Sequence, residues 1–219
     1  MHGFRRPGST VIGSAVLVLA IGVWLVQDGV RTELPPRPSS AQSFPAAAAP
    51  ADDGRQRATK PSIPGMGASP PIRIRIRAIL VDAPVIPLTL DAEGHLEPPP
   101  PDDNNLVGWY EGGVAPGQNG TAVMAGHVDN KRGLSVFYGL GSLRPGAEVE
   151  IERKDRTTAV FSIDAVEEYP KDRYPSDKVY GETSRPELRL ITCGGRFSKE
   201  TGYQSNVVAY AHLTRAKSA

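Results

Sequence analysis

The single cysteine of this chain, Cys193, stands in the stretch LRLITCGG, after an alternating apolar run and directly before two glycines. One unpaired thiol in a chain with export signals is a structural residue, half of an intermolecular bridge, or a nucleophile. A nucleophilic thiol needs partial exposure and a base within reach, and histidine is the usual partner. Three of the histidines lie in the part that reads as folded. His95 sits in the polar turn DAEGHLEPPP, where a solvent-facing imidazole is expected, and His212 falls late in the last apolar run, as an ordinary half-buried residue would. His127 differs: in TAVMAGHVD an apolar strand runs into a glycine and then the imidazole, the same setting as Cys193. Two strand ends of this kind can meet at one rim of a barrel, which makes thiol and imidazole a candidate pair for acyl transfer. Taken alone, an imidazole after a strand is as readily structural.

The elements that must position this pair read as short strands. Apolar or alternating segments occur at 72–81, 122–125, 149–152, 159–166, 188–192 and 207–213, separated by turn signals such as GGVAPGQNG, RPG and TSRPE. Many short strands and few helical patterns over residues 72–215 predict an all-β fold, a closed or nearly closed barrel, with a short helix near 134–140. In the first segment Arg73, Arg75 and Arg77 alternate with Ile72, Ile74 and Ile76, so the arginines share one strand face, expected to be solvated.

Composition narrows the partners. The 219 residues carry a formal net charge of +1 and 39% apolar residues, too balanced for a phosphate-binding surface, so no nucleic acid is expected. Residues 11–26, VIGSAVLVLAIGVWLV, hold no charge and follow Arg5 and Arg6. As a helix they would span about 24 Å. No small-x-small site follows closely, so an uncleaved signal anchor is favoured over a cleaved signal peptide. The arginines hold residues 1–10 in the cytoplasm and place the remainder outside a single-pass cell membrane. Residues 27–71 are rich in proline, alanine and serine and predict a disordered tether, while 216–219 form a tail.

With these residues in view, LRLITCGG resembles the Leu-x-Thr-Cys strand end of sortases, and NGTAVMAGHVD resembles their histidine motif. Together with PIRIRIRAILVDAPVIPLTLDAEGHLEPP, NNLVGWYEGGVAPGQNGTAVMAGHVD and a final strand SNVVAYAHL, the chain is similar to the class F sortases of actinobacteria over nearly all of 72–215. The resemblance implies an eight-stranded sortase barrel and a cysteine transpeptidase that works without metal or organic cofactor. Cys193 would attack the Thr-Gly bond of an LPXTG-type sorting signal, and an amine of the cell-wall precursor would resolve the thioester. His127 would serve as general acid and then base, and Thr192 would help form the substrate wall. The family's late arginine has no counterpart in 202–206, which leaves its role to Arg196, to Gln204 as a neutral donor, or to backbone amides. That gap sustains a second reading, a sortase-like surface module that binds sorting peptides without turnover. L,D-transpeptidases also pair a lone cysteine with a histidine, but their Ser-x-Gly-Cys neighbourhood is not found in LITCGG.

Overall fold

The computed structural model describes residues 34–45 and 63–218. The apolar span 11–26 and the flank before it lie outside them, and among the described residues no helix is long and apolar enough to cross a membrane. Every element named below belongs to one compact unit, Pro35–Ala219.

Eight strands close a barrel: β1 Pro71–Ile76, β2 Val81–Leu88, β3 Val107–Tyr110, β4 Gly120–Gly126, β7 Glu148–Arg153, β8 Thr158–Pro170, β9 Pro186–Ser198 and β10 Gly202–Lys217. Their order around the barrel is β1-β2-β3-β4-β9-β10-β8-β7. A separate small hairpin joins β5 Asp129–Asn130 to β6 Gly133–Leu134. The all-β barrel predicted from the short strands is therefore the observed fold. Closure also leaves no unpaired sheet edge.

The segment 72–81, read as one strand, is β1, a turn and the first residue of β2, most of which the reading missed. The chain turns through a 3-10 turn at Arg77–Ile79, and Leu80 takes a left-handed conformation with φ 57° before β2 begins. Alternation fails at Ala78, Ile79 and Leu80, three apolar residues in a row, and that failure marks the turn. Ile74 and Ile76 enter the barrel interior. On the outer face Arg73 donates to Asp82 at 2.5 Å and Arg75 pairs with Glu152, so the arginine strip is a solvated face of cross-strand ion pairs. Strand β3 escaped the reading because it is only four residues long.

Interior positions repeat with period two along each strand. Met124, Ile151, Phe161, Leu188 and Leu190 are almost fully buried in one cluster. The predicted helix near 134–140 is a 3-10 turn at Tyr138–Ser142, preceded by the buried Phe137. Phe137 packs where β4 stops, since a Cβ on Gly126 would meet its ring at 2.8 Å.

Within the stretch 27–71, residues 35–44 and 63–70 lie on the barrel. Gln42 Nε2 donates to Gly141 O at 2.8 Å and to Leu143 O at 2.6 Å, and Arg37 makes two bonds to Glu168 at 2.7 and 2.9 Å. The ring of Phe44 meets Tyr210 edge-on at 5.1 Å. Gly141 passes so near the Pro36 carbonyl that a Cβ would collide with it. This strap differs from the tether that composition predicts for 27–71, because its attachment rests on bidentate polar contacts and one aromatic ring, which carry no hydropathy signal. The remainder of the tether, 27–33 and 46–62, lies outside the described residues.

Candidate active site

Strand parity decides which way the candidate residues face. On β9, Leu188 and Leu190 belong to the interior cluster, whereas Ile191 belongs to a second cluster on the outer face. Cys193 shares the parity of Ile191 and so lies outside, as a half-buried free thiol. On β4, Ala122 and Met124 face inward and Val123 outward, which turns His127 outward as well. The two strands run parallel with Ala125 opposite Ile191. β4 ends at Gly126, directly before His127, and its pairing with β9 ends at Ala125 and Ile191, two residues before Cys193, so imidazole and thiol follow the paired stretch on neighbouring strands.

A third residue joins them from the other side. Strand β10 pairs antiparallel with β9, and Asn206 is the register partner of Cys193. Val207 and Ala209 are interior, so Asn206 stands on the outer face beside the thiol, half-buried. Cross-strand partners on one face hold their Cβ atoms about 4.5–5.5 Å apart. The Asn206 amide makes no side-chain hydrogen bond among the described residues, so its donors are free for a ligand. Cys193 thus has a carboxamide beside it on β10 and lies on the strand next to the one that leads into His127.

The surroundings fix this trio. Thr192 faces inward, 5% exposed, and its Oγ1 donates to Gly126 O at 2.8 Å, tying the end of β4 to β9 one residue before the pair. Its hydroxyl is therefore spent within the barrel wall and is not presented to a groove. His127 Nε2 lies 2.7 Å from Pro99 O. Tyr203 donates to Asp129 Oδ2 at 2.5 Å, which links the segment after His127 to the β9–β10 hairpin. Burial first, and then the bond to Asp129, push the Tyr203 phenol well above its ordinary range, with Cys193 and Tyr138 adding to the effect. It therefore remains a neutral donor, and its bond to Asp129 holds the β9–β10 hairpin against the segment that follows His127.

The remaining sequence candidates fall elsewhere. Register slips between Tyr203, opposite Phe197, and Ser205, opposite Gly194, so Gln204 lies in a bulge facing Gly195 and Arg196. Both Gln204 and Arg196 are exposed, and neither makes a side-chain hydrogen bond or ion pair among the described residues. Gly195 allows the bulge: its φ is +79°, and a Cβ there would meet the Ser205 hydroxyl at 2.6 Å. His95 is solvent-facing, 3.4 Å from Asp91, and His212 donates from Nδ1 to Asp164 at 2.7 Å. Neither approaches Cys193 along the sheet.

A floor extends from the trio along the outer face through Val123, Ile191, Val208 and Tyr210, and Val179 of the short helix α1 (Ser176–Tyr180) packs on it. Lys178 of α1 binds Glu167 at 2.6 Å and lies 5.3 Å from the Phe44 ring centroid, so strap, helix and β8 meet at one junction. Sequence reasoning missed Asn206, Tyr203, Asp129 and Pro99. Asn206 is identified only by its register, which the bulge at Gln204 shifts. The run EPPPP is conspicuous in sequence, yet its approach to His127 depends on how the β3 and β4 ends lie.

Comparison with known proteins bears on the fold and the family. The family model described as Sortase domain matches residues 74–214. Among solved structures, sortase A of Listeria monocytogenes superposes with a TM-score of 0.50 at 15% identity, covering 70% of this chain and 92% of that one. Sortase C1 of Streptococcus suis gives 0.50 at 16% identity, covering 67% and 74%. A lid mutant of sortase A from Corynebacterium diphtheriae gives 0.50 at 17% identity, covering 68% and 73%. At these identities the likeness speaks for the fold. No curated protein sequence matches the chain.

Proposed function

Because the chain belongs to the sortase family, a family of cysteine transpeptidases, we propose that it cleaves LPXTG-type sorting signals and passes the new acyl end to a cell-wall amine. The Cys193 thiolate attacks the threonine carbonyl, the Thr-Gly C–N bond breaks, and His127 gives a proton to the leaving amine. The incoming amine then attacks the thioester, His127 takes its proton, and the thiolate leaves. Asn206 donates its amide to the developing oxyanion in the place where the family keeps an arginine. Arg196 and Gln204 stand at the rim of this site, where they meet the flanks of the peptide, and Thr192 keeps the strand ends together. The motifs quoted above favour class F, and the span 11–26 serves as the anchor that holds the domain outside the membrane.

The observation that carries this reading is the register that sets Asn206 beside Cys193, on the strand next to the one that leads into His127. Incubation with a fluorogenic LPXTG peptide tests it, with Cys193→Ala as control. Cleavage only by the unaltered chain is expected. Equal signals from both, with peptide still bound, would instead make the protein a peptide-binding module.

A further inference from the structure

Of the four successive prolines at 98–101, Pro99 alone is buried, and its carbonyl lies 2.7 Å from His127 Nε2. A carbonyl oxygen only accepts hydrogen bonds, so Nε2 carries the proton in this contact. We propose that the tetraproline loop is the positioning element of the histidine: Pro99 O selects the Nε2-protonated tautomer and leaves Nδ1 as the nitrogen that exchanges protons with the substrate.

The loop is suited to this by composition. Proline has no N–H and a fixed φ, so a run of four is stiff and extended, and no N–H within it can bond a carbonyl of the loop. Side chains of the histidine segment take those carbonyls instead. Asn130 Nδ2 donates to Pro101 O at 2.7 Å and Arg132 donates to Asp102 O at 2.6 Å, in line with the bond from His127 to Pro99 O. Asn104 completes the staple by donating to Leu134 O at 3.0 Å. Donors at 127, 130 and 132 thus read acceptors at 99, 101 and 102 in the same order along both segments. On its other side the loop borders a cavity of about 440 Å³ against Ile86, Pro87 and Leu88. The polar staple, more than packing on β2, therefore sets its position.

The chemical consequence follows from the proton count. When His127 accepts a proton at Nδ1 from the attacking amine, the imidazolium holds both N–H groups, and the Pro99 carbonyl dipole remains aligned on Nε2–H. It orients the ring, as a carboxylate does in other nucleophile-histidine pairs, but without adding a charge beside the thiolate.

The inference rests on the transpeptidase reading for the use made of Nδ1, yet its test is independent of turnover. Histidine labelled with nitrogen-15 in Cys193→Ala, with His127 signals assigned by His127→Gln, reports the tautomer of the neutral ring by NMR. A protonated Nε2 and a bare Nδ1 are expected; a protonated Nδ1, or averaged signals, would overturn the proposal even if the enzyme cleaves peptide. Conversely, the expected tautomer in a chain that cleaves nothing would leave the geometry standing and remove the function. Asn130→Ala with Arg132→Ala frees the loop without touching His127. It should lower kcat about tenfold, part of the roughly 10²–10⁴ supplied by a positioned acid-base group, with KM within about twofold and the tautomer signals mixed. Unchanged kcat and unchanged signals would refute the positioning role.

Discussion

Cys193 lies within β9 on its outer face, and His127 directly follows β4, the parallel neighbour of β9. The chemistry of thiol and imidazole made both legible in the sequence. Their cross-strand companion was not, because the bulge at Gln204 offsets the β10 register by a residue that no pattern records. Asn206→Ala is expected to lower kcat by about 10²-fold, the scale of one lost oxyanion donor, with KM for the peptide little changed. Arg196→Ala, which removes an exposed side chain in the bulge, is expected to alter kcat by less than about threefold, as rim charges do. Steady-state kinetics on both variants check the pair of claims together, and a reversed order would move the donor role to the guanidinium.

At the scale of elements, the strap 35–44 is the part that composition concealed. A stretch of proline, serine and alanine reads as unstructured because it has little apolar surface to bury. Its docking rests on Gln42, whose amide serves two carbonyls, and on the junction of Phe44, Glu167 and Lys178. Gln42→Ala leaves Gly141 O and Leu143 O without that donor and should cost about 1–3 kcal/mol in urea unfolding. Burial alone would raise the Glu167 carboxyl, but bonds from Lys178, Tyr169 and the Phe44 N–H outweigh it and hold the group below its ordinary 4.5. A depressed folded value means the stabilisation is full above 4.5 and is lost as pH falls through that lower value. Unfolding midpoints followed from neutral to acid pH should therefore converge for the native chain and Glu167→Gln in that window and stay apart above it. The turn at 77–80 shows the complementary error: Ala78, Ile79 and Leu80 are apolar, so the reading carried the strand through the turn and stopped where β2 begins.

As a whole molecule, the barrel was legible because its strands alternate and its turns carry glycine and proline, the count of eight strands came through the family resemblance, and the strand order, with parallel pairs β2–β3 and β4–β9, is visible only in the structure. The same order makes the site a property of closure, since β4 and β9 become neighbours only in the assembled sheet. A chain beginning at residue 34 keeps the strap 35–44 and the barrel and is expected to keep its turnover, whereas one beginning at residue 63 lacks the strap and should unfold at lower urea. The central claim is a thioester on Cys193, and mass spectrometry of the intact protein after exposure to LPXTG peptides reads it directly. The account predicts an added mass equal to the peptide up to its threonine, carried by Cys193, discharged by an added amine and missing in Cys193→Ala. A folded chain that gains no mass from any such peptide, or gains it equally in Cys193→Ala, would contradict it.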